Sequence, residues 1–188
     1  MFDFPLGADV SFYQRKVDMR GAMQDGVEFI GIRWGQRDGR GGYTDFRARE
    51  NWEAAKEAGV LRLMYWVWDQ RAGHTASAHM GGIRRFSRTY DGELPPWADL
   101  ELLPLDWDEF HDWLIMLESW ASVKPDIYTG SWAMEKYAPL PLWLKDYNFC
   151  LTGYNDIGPS VYGPLKDLNP NVVCWQQTSS WFVNWVNT

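Results

Sequence analysis

The chain has 188 residues, 46% of them hydrophobic and 23% charged, which is enough for one domain with a full core. A formal charge of −7 and a pI near 4.9 deny it the basic surface that nucleic acid demands, so no nucleic-acid partner is expected. No apolar run reaches the length of a membrane span, and the opening "MFDFPLGADVSFYQ" has neither a basic n-region nor an apolar h-region, so no signal peptide is expected.

Strand-like and helix-like stretches then alternate. "GADVSFY" (7–13) reads as a strand, 15–25 as a short helix, and "VEFIGIRW" (27–34) as a β-rich apolar run. After the glycine loop "RGGYTDF", residues 46–59 read as a helix that Gly59 stops, and "VLRLMYWVW" (60–68) as the third strand. Residues 74–90 read as a weaker helix interrupted by Gly81 and Gly82, and "PWADLELL" (96–103) as the fourth strand. The clearest helix is 106–123, with Phe110, Trp113, Leu114, Leu117, Trp120 and Ala121 on one face and Asp106–Glu109 at capping-box spacing. "KPDIYTG" (124–130) is a fifth strand and "SWAMEKY" (131–137) a short helix. "LPLWLKDY", "NFCLTGYN" and "NVVCWQQT" close the pattern as three strand-like runs with no room for helices between them. Strand–helix alternation of this kind specifies an α/β fold with a parallel sheet and outer helices, and eight strands suffice to close a barrel. No linker, repeat or low-complexity tract divides the chain, so residues 1–188 are expected to form one domain.

Thirteen Trp, nine Tyr and nine Phe exceed what a core of this size usually needs. Aromatic faces in a groove suit the CH-rich faces of sugars, which makes carbohydrate the leading ligand class. Cys150 and Cys174 have no metal-ligand spacing, and His74, His79 and His111 are expected on the surface, so no metal or other cofactor is expected. The two cysteines read as free thiols, and a disulfide requires their strands to be neighbours.

The carboxylates Asp99 and Glu101 stand out in "PPWADLELLP". On a strand they project from the same side, roughly 6.5–7 Å apart. In a β/α barrel the carboxyl ends of the strands hold the site, and Asp9 in "GADVS" has a similar station on strand one. Two neighbouring carboxyl groups in different protonation states are what glycoside hydrolysis uses. An ion pair or a solvated barrel rim explains an isolated Asp-x-Glu equally well. Asp69, after "YWVW", is expected on the surface.

The ordered set of motifs says more. "GADVSFYQRKVD", "VEFIGIRWGQ", "DFRARENWEAAKEAGVLRLMYWVW", "WADLELL", "KPDIYTGSWAM", "LWLKDY" and "CWQQTSSWFVNWVN" resemble, in sequence and spacing, the family 25 glycoside hydrolases, the Chalaropsis-type lysozymes. The resemblance covers nearly the whole chain. It implies a flattened TIM-like barrel of about eight strands and five helices. It implies a muramidase acting on the β-1,4 bond between N-acetylmuramic acid and N-acetylglucosamine of a peptidoglycan glycan strand, hence at the bacterial cell wall. The chain is expected to be a monomer. Carried over by position, Glu101 becomes the general acid/base. Asp99 orients or stabilises the intermediate, with help from the substrate's 2-acetamido group, and Asp9 lines the same site. Tyr65, Tyr128 and Trp175 match wall positions. Two positions depart from the family pattern. Tyr65-Trp66-Val67 stands where Tyr-His-Phe is usual, so that Trp66 reads as a sugar platform or as core. Val186-Asn187-Thr188 stands where the family has Val-Asp-x-Asn, so Asn187 offers hydrogen bonds to substrate but no charge. Two other readings remain open: a glycan-binding pseudoenzyme on this fold, and a hydrolase of chitin-like polymers. The lack of a signal and of a separate wall-binding domain also suits a phage endolysin.

Overall fold

Strand alternation sorts the apolar residues onto two faces. In β2 (Val27–Gln36), Ile30, Ile32 and Trp34 face outward and are buried, while Phe29, Gly31 and Arg33 face inward. The same alternation recurs in β4 (Leu61–Val67), β5 (Trp97–Asp99), β6 (Asp126–Gly130) and β7 (Asn148–Thr152). Outward residues such as Met64, Trp66, Ala98, Ile127, Phe149 and Leu151 form the main core against the helices. Inward residues Leu63, Trp97 and Cys150, with Phe29, Tyr65, Tyr128 and Cys174, form a second, smaller core inside the curl of the sheet. The computed structural model describes residues 5–37, 42–71, 73–153 and 161–178.

The result is a curled sheet in the order β1-β2-β4-β5-β6-β7-β8, with every pair on that path parallel, β1 spanning Leu6–Val10 and β8 Asn171–Gln176. The two-residue β3 (Tyr43–Thr44) adds an antiparallel partner to β2. Among the described residues no ladder joins β1 to β8, so the fold is an open-seamed half-barrel with helices outside it. This is the α/β architecture expected. No helix among the described residues is long and apolar enough to cross a membrane.

Several boundaries differ from the sequence reading. The first strand stops at Val10, because Ser11 caps a 3-10 turn over Phe12–Gln14: its amide donates to the Gln14 side chain at 2.9 Å. The fourth strand is only Trp97–Asp99, so Glu101 lies beyond it and strand geometry does not set its separation from Asp99. "LPLWLKDY" is not a strand: Leu142–Asp146 form a 3-10 helix behind Pro141. A sixth α-helix, Gly163–Leu168, fits between β7 and β8, where no room for one was expected. The remaining helices are α1 (Met19–Gln24), α2 (Ala48–Ala58), α3 (Ala76–Phe86), α4 (Trp107–Ala121) and α5 (Ser131–Lys136), with Gly163–Leu168 as α6. Gly59 ends α2 at φ 79°, and Asp106 caps α4 through the amides of Asp108 and Glu109. The Glu109 carboxylate does not complete a capping box; it accepts from the Ala76 amide at 2.7 Å and ties α4 to α3.

Gly82 does not interrupt α3. A Cβ there would sit 2.5 Å from the Trp66 ring, so the glycine is what lets Trp66 pack on the helix. The Trp66 indole donates to Nδ1 of His79 at 3.0 Å, which leaves Nε2 to donate to the Asp69 carbonyl at 3.2 Å. His79 is therefore neutral and fully buried, and burial pushes its pKa down to about 3. The surface placement expected for His79 and for Asp69 is wrong: Asp69 is also fully buried, its carboxylate held by Arg71 at 2.9 and 2.6 Å. Trp34, Trp52, Trp66, Trp68, Trp97 and Trp113 are all buried, so packing accounts for much of the tryptophan content. Cys150 and Cys174 are free thiols directly opposite each other on β7 and β8.

Candidate active site

The inward-facing residues at the carboxyl ends of the strands converge on one mouth. Asp9 comes from β1 beside Gly31 of β2, Tyr65 from β4, Asp99 from the last position of β5, and Tyr128 from β6, in register with Asp99. A Cβ at Gly31 would lie 3.3 Å from the Trp97 ring and 3.5 Å from Cβ of Asp9, so this glycine keeps the space between those side chains. Trp97 and Tyr128 stack at 5.7 Å with a 16° tilt and form the floor.

The carboxyl groups sense one another. Burial raises the Asp99 pKa well above the usual 3.8, and the charges of Glu101 and Asp9 raise it further, while Arg33 opposes them. Burial and the charge of Asp9 raise Glu101. Burial raises Asp9 too, against the hydrogen bond it accepts from Gln176. Asp99 and Glu101 thus titrate as a pair that retains a proton above the usual carboxylate range. Oδ1 of Asp99 is buried and has no hydrogen-bond partner. Tyr65 is held neutral by burial and by Asp9 and Asp99. Tyr137, just past α5, is also held neutral, by burial and then by the charges of Glu101 and Asp99, and its hydroxyl has no hydrogen-bond partner either.

Three contributors went unnoticed in the sequence. Gln176 donates through Nε2 to Oδ2 of Asp9 at 2.6 Å and accepts at Oε1 from the Tyr128 hydroxyl at 2.6 Å, so it spans the seam between β8 and β1. Arg33 is 9% exposed and bonds Asp45 through Nε at 3.4 Å. Asp45 in turn accepts from the amides of Phe12 at 2.7 Å and Arg47 at 2.9 Å, clamping the loop after β1 to the loop after β3. A charged residue between Ile32 and Trp34, at an inward position of an apolar strand, was the available signal for Arg33. No comparable signal marked Gln176.

Not every candidate joins this cluster. Trp66 lies on the opposite face of the sheet, 1% exposed, in the core. Trp175 alternates with Cys174 and Gln176 along β8, is in register with the outward Leu151, and donates to the Gly153 carbonyl at 2.8 Å. Asn187 lies outside the described residues. Among the described residues no group of three or more His, Cys, Asp or Glu side chains is arranged to hold a metal ion.

A curled parallel sheet with outer helices, and proton-retaining carboxyl groups at the carboxyl ends of its strands, is the architecture of a barrel-type glycoside hydrolase. Residues 8–184 match the profile of the glycosyl hydrolases family 25, and the chain belongs to that family. Its fold is similar to that of the bacterial lysozyme from Streptomyces coelicolor (TM-score 0.83, 18% identity, covering 98% of this chain and 89% of that one). It is also similar to the muramidase from Trichobolus zukalii (TM-score 0.70, 21% identity, covering 81% and 79%). A third similar structure is the modular autolysin LytC of Streptococcus pneumoniae in complex with a synthetic peptidoglycan ligand (TM-score 0.69, 15% identity, covering 96% of this chain and 44% of that one). No curated protein sequence matches the chain.

Proposed function

We propose that this glycoside hydrolase is a muramidase that cleaves the β-1,4 bond between N-acetylmuramic acid and N-acetylglucosamine in peptidoglycan, with the matched span acting as one catalytic domain at the bacterial cell wall. The observation that carries the reading is the state of Asp99: a buried carboxyl group, one oxygen without a partner, coupled in charge to Glu101. A pair in this state offers one proton and one developing charge, the two requirements of glycosidic cleavage.

Glu101 is the half-buried member, and it protonates the glycosidic oxygen as the bond breaks. Burial raises both members, and the pair retains a proton between them. Asp99, with its free Oδ1, holds the 2-acetamido group, whose carbonyl oxygen is the nearest internal nucleophile for the sugar carbon. Asp9, fixed by Gln176, adds negative charge that favours the positive sugar carbon of the transition state. Tyr65, held neutral by burial, and Tyr128 supply hydroxyl-bearing walls. Family membership and the relative solved with a peptidoglycan ligand support this choice of substrate.

The test is reducing-end release from purified peptidoglycan by wild type and Glu101→Gln, with products identified by mass. Muropeptides ending in muramic acid, absent with the variant, are expected. N-acetylglucosamine ends would instead assign cleavage of the other glycosidic bond of the strand, release from chitin alone would assign the chitin-like specificity, and binding without release by the wild type would assign a glycan-binding role.

A further inference from the structure

The mouth has an aromatic rim that the catalytic reading leaves unused. Tyr13 and Phe46 are 71% and 72% exposed. Phe12 lies between them, its ring centroid 4.1 Å from that of Tyr13 and 5.6 Å from that of Phe46, stacked on the latter at 30°. The guanidinium carbon of Arg33 lies 4.9 Å from the Phe12 ring, 5.4 Å from Tyr13 and 5.7 Å from Tyr43. Arg33 is also the group whose positive charge opposes the proton on Asp99, so rim and carboxyl cluster share one side chain. Its Nη2 is buried without a hydrogen-bond partner, a donor that the protein itself does not satisfy.

Two features separate this rim from an ordinary scatter of exposed apolar residues. It is continuous with the mouth: Phe12 is three residues beyond Asp9, immediately past the carboxyl end of β1. It is also rigidly mounted, because the buried Asp45 carboxylate grips the Phe12 amide, the Arg33 side chain and the Arg47 amide together. Adjacent, largely exposed rings, held in place before binding with Arg33 and Arg47 beside them, suit a ligand that is flat, CH-rich on its faces and polar on its edges.

We propose that Phe12, Tyr13 and Phe46 form a platform for a pyranose ring of the glycan strand distal to the bond that is cut, extending the groove beyond Asp9, Asp99 and Glu101. The proposal rests on the glycan reading above and adds a subsite that makes affinity depend on strand length. A sugar lying on the rings buries apolar surface that is otherwise wet, while its edge hydroxyls stay hydrated.

The experiment titrates Glu101→Gln with peptidoglycan-derived glycan strands of increasing length by calorimetry, alone and combined with Tyr13→Ala and Phe46→Ala. Both added substitutions lie at exposed positions, and circular dichroism confirms the fold. Affinity is expected to rise with length in Glu101→Gln, and the rise to fall by about tenfold, near 1.4 kcal/mol, in the combined variant. Phe46→Trp in place of Phe46→Ala is expected to restore it. An unchanged length dependence in the combined variant overturns the platform, whatever the wild type cleaves. Glycan release by wild type is scored separately: its absence sinks the muramidase reading, while length-dependent binding lost with the two rings still supports the platform.

Discussion

Gln176 on β8 donates a 2.6 Å hydrogen bond to Asp9 on β1, although no backbone ladder among the described residues joins those two strands. The amide has only one productive orientation, because the Tyr128 hydroxyl occupies its oxygen at 2.6 Å. Removing it frees Asp9 to turn and leaves the Tyr128 hydroxyl without that acceptor. Gln176→Ala is expected to lower kcat/KM on peptidoglycan by about a hundredfold, the cost of misplacing a group by about an ångström. Gln176→Glu is expected to do worse and to move the acid limb to higher pH, since a second carboxylate then faces Asp9 and raises its neighbours' pKa values. Steady-state pH profiles of both variants check this, and wild-type kinetics in Gln176→Ala would sink the positioning role.

Burial of the carboxyl cluster sets a stability cost. Raised folded-state pKa values mean that the folded protein holds more protons than the unfolded chain. The stabilising contribution is therefore present below the usual carboxyl value of 3.8 and lost as pH rises through the raised folded values. Asp99→Asn removes the ionisation and is expected to raise Tm at neutral pH while abolishing activity, by roughly 2–4 °C for each kcal/mol released. The gain should vanish when melting is repeated below pH 3.8.

His79 acts in the opposite direction. Its folded pKa of about 3 lies below the usual 6.5, so the unfolded chain takes up the proton first. The stability this neutral ring contributes is complete above pH 6.5 and is lost as pH falls toward 3. In His79→Gln the acid-side decline of Tm between those values should flatten. An unaltered slope would mean that the ring is not the titrating group.

Trp66 separates packing from sugar contact. Trp66→Ala is expected to destabilise the fold by about 3–5 kcal/mol, measured by denaturant unfolding. Trp66→Phe should lower Tm and leave KM for glycan as it is. A rise in KM without loss of stability would return Trp66 to the binding surface.

Arg33→Gln removes the positive charge that, among the described residues, lowers Asp99. The acid limb of the pH–rate profile should then move to higher pH, because the carboxyl pair keeps its proton longer. An acid limb that stays in place would show that another group controls it.

How far the sequence reached depended on the range of the interactions. Strand alternation and the α2 and α4 caps are local, and they were legible from Ile30, Ile32 and Trp34, from Gly59 and from Asp106. Leu142–Asp146 misled because apolar residues in a short run do not distinguish a strand from a 3-10 turn behind proline. Gly82 looks like a helix breaker in the sequence because its purpose is a contact with Trp66, sixteen positions away. Asp99 and Glu101 show as a spacing, but Gln176 belongs to the candidate site through hydrogen bonds with Asp9, 167 positions away, and Tyr128, 48 away, and no local pattern encodes that.

That separation also sets a timetable. A nascent chain grows from its N-terminus at roughly 5–20 residues per second, so Asp9 emerges on the order of ten seconds before Gln176. During this interval β1 to β6 can gather around their own core, yet Asp9 has no amide to hold it and the seam has no second lip. The Asp9–Gln176 contact at the candidate site therefore forms late in synthesis, only once the eighth strand has docked.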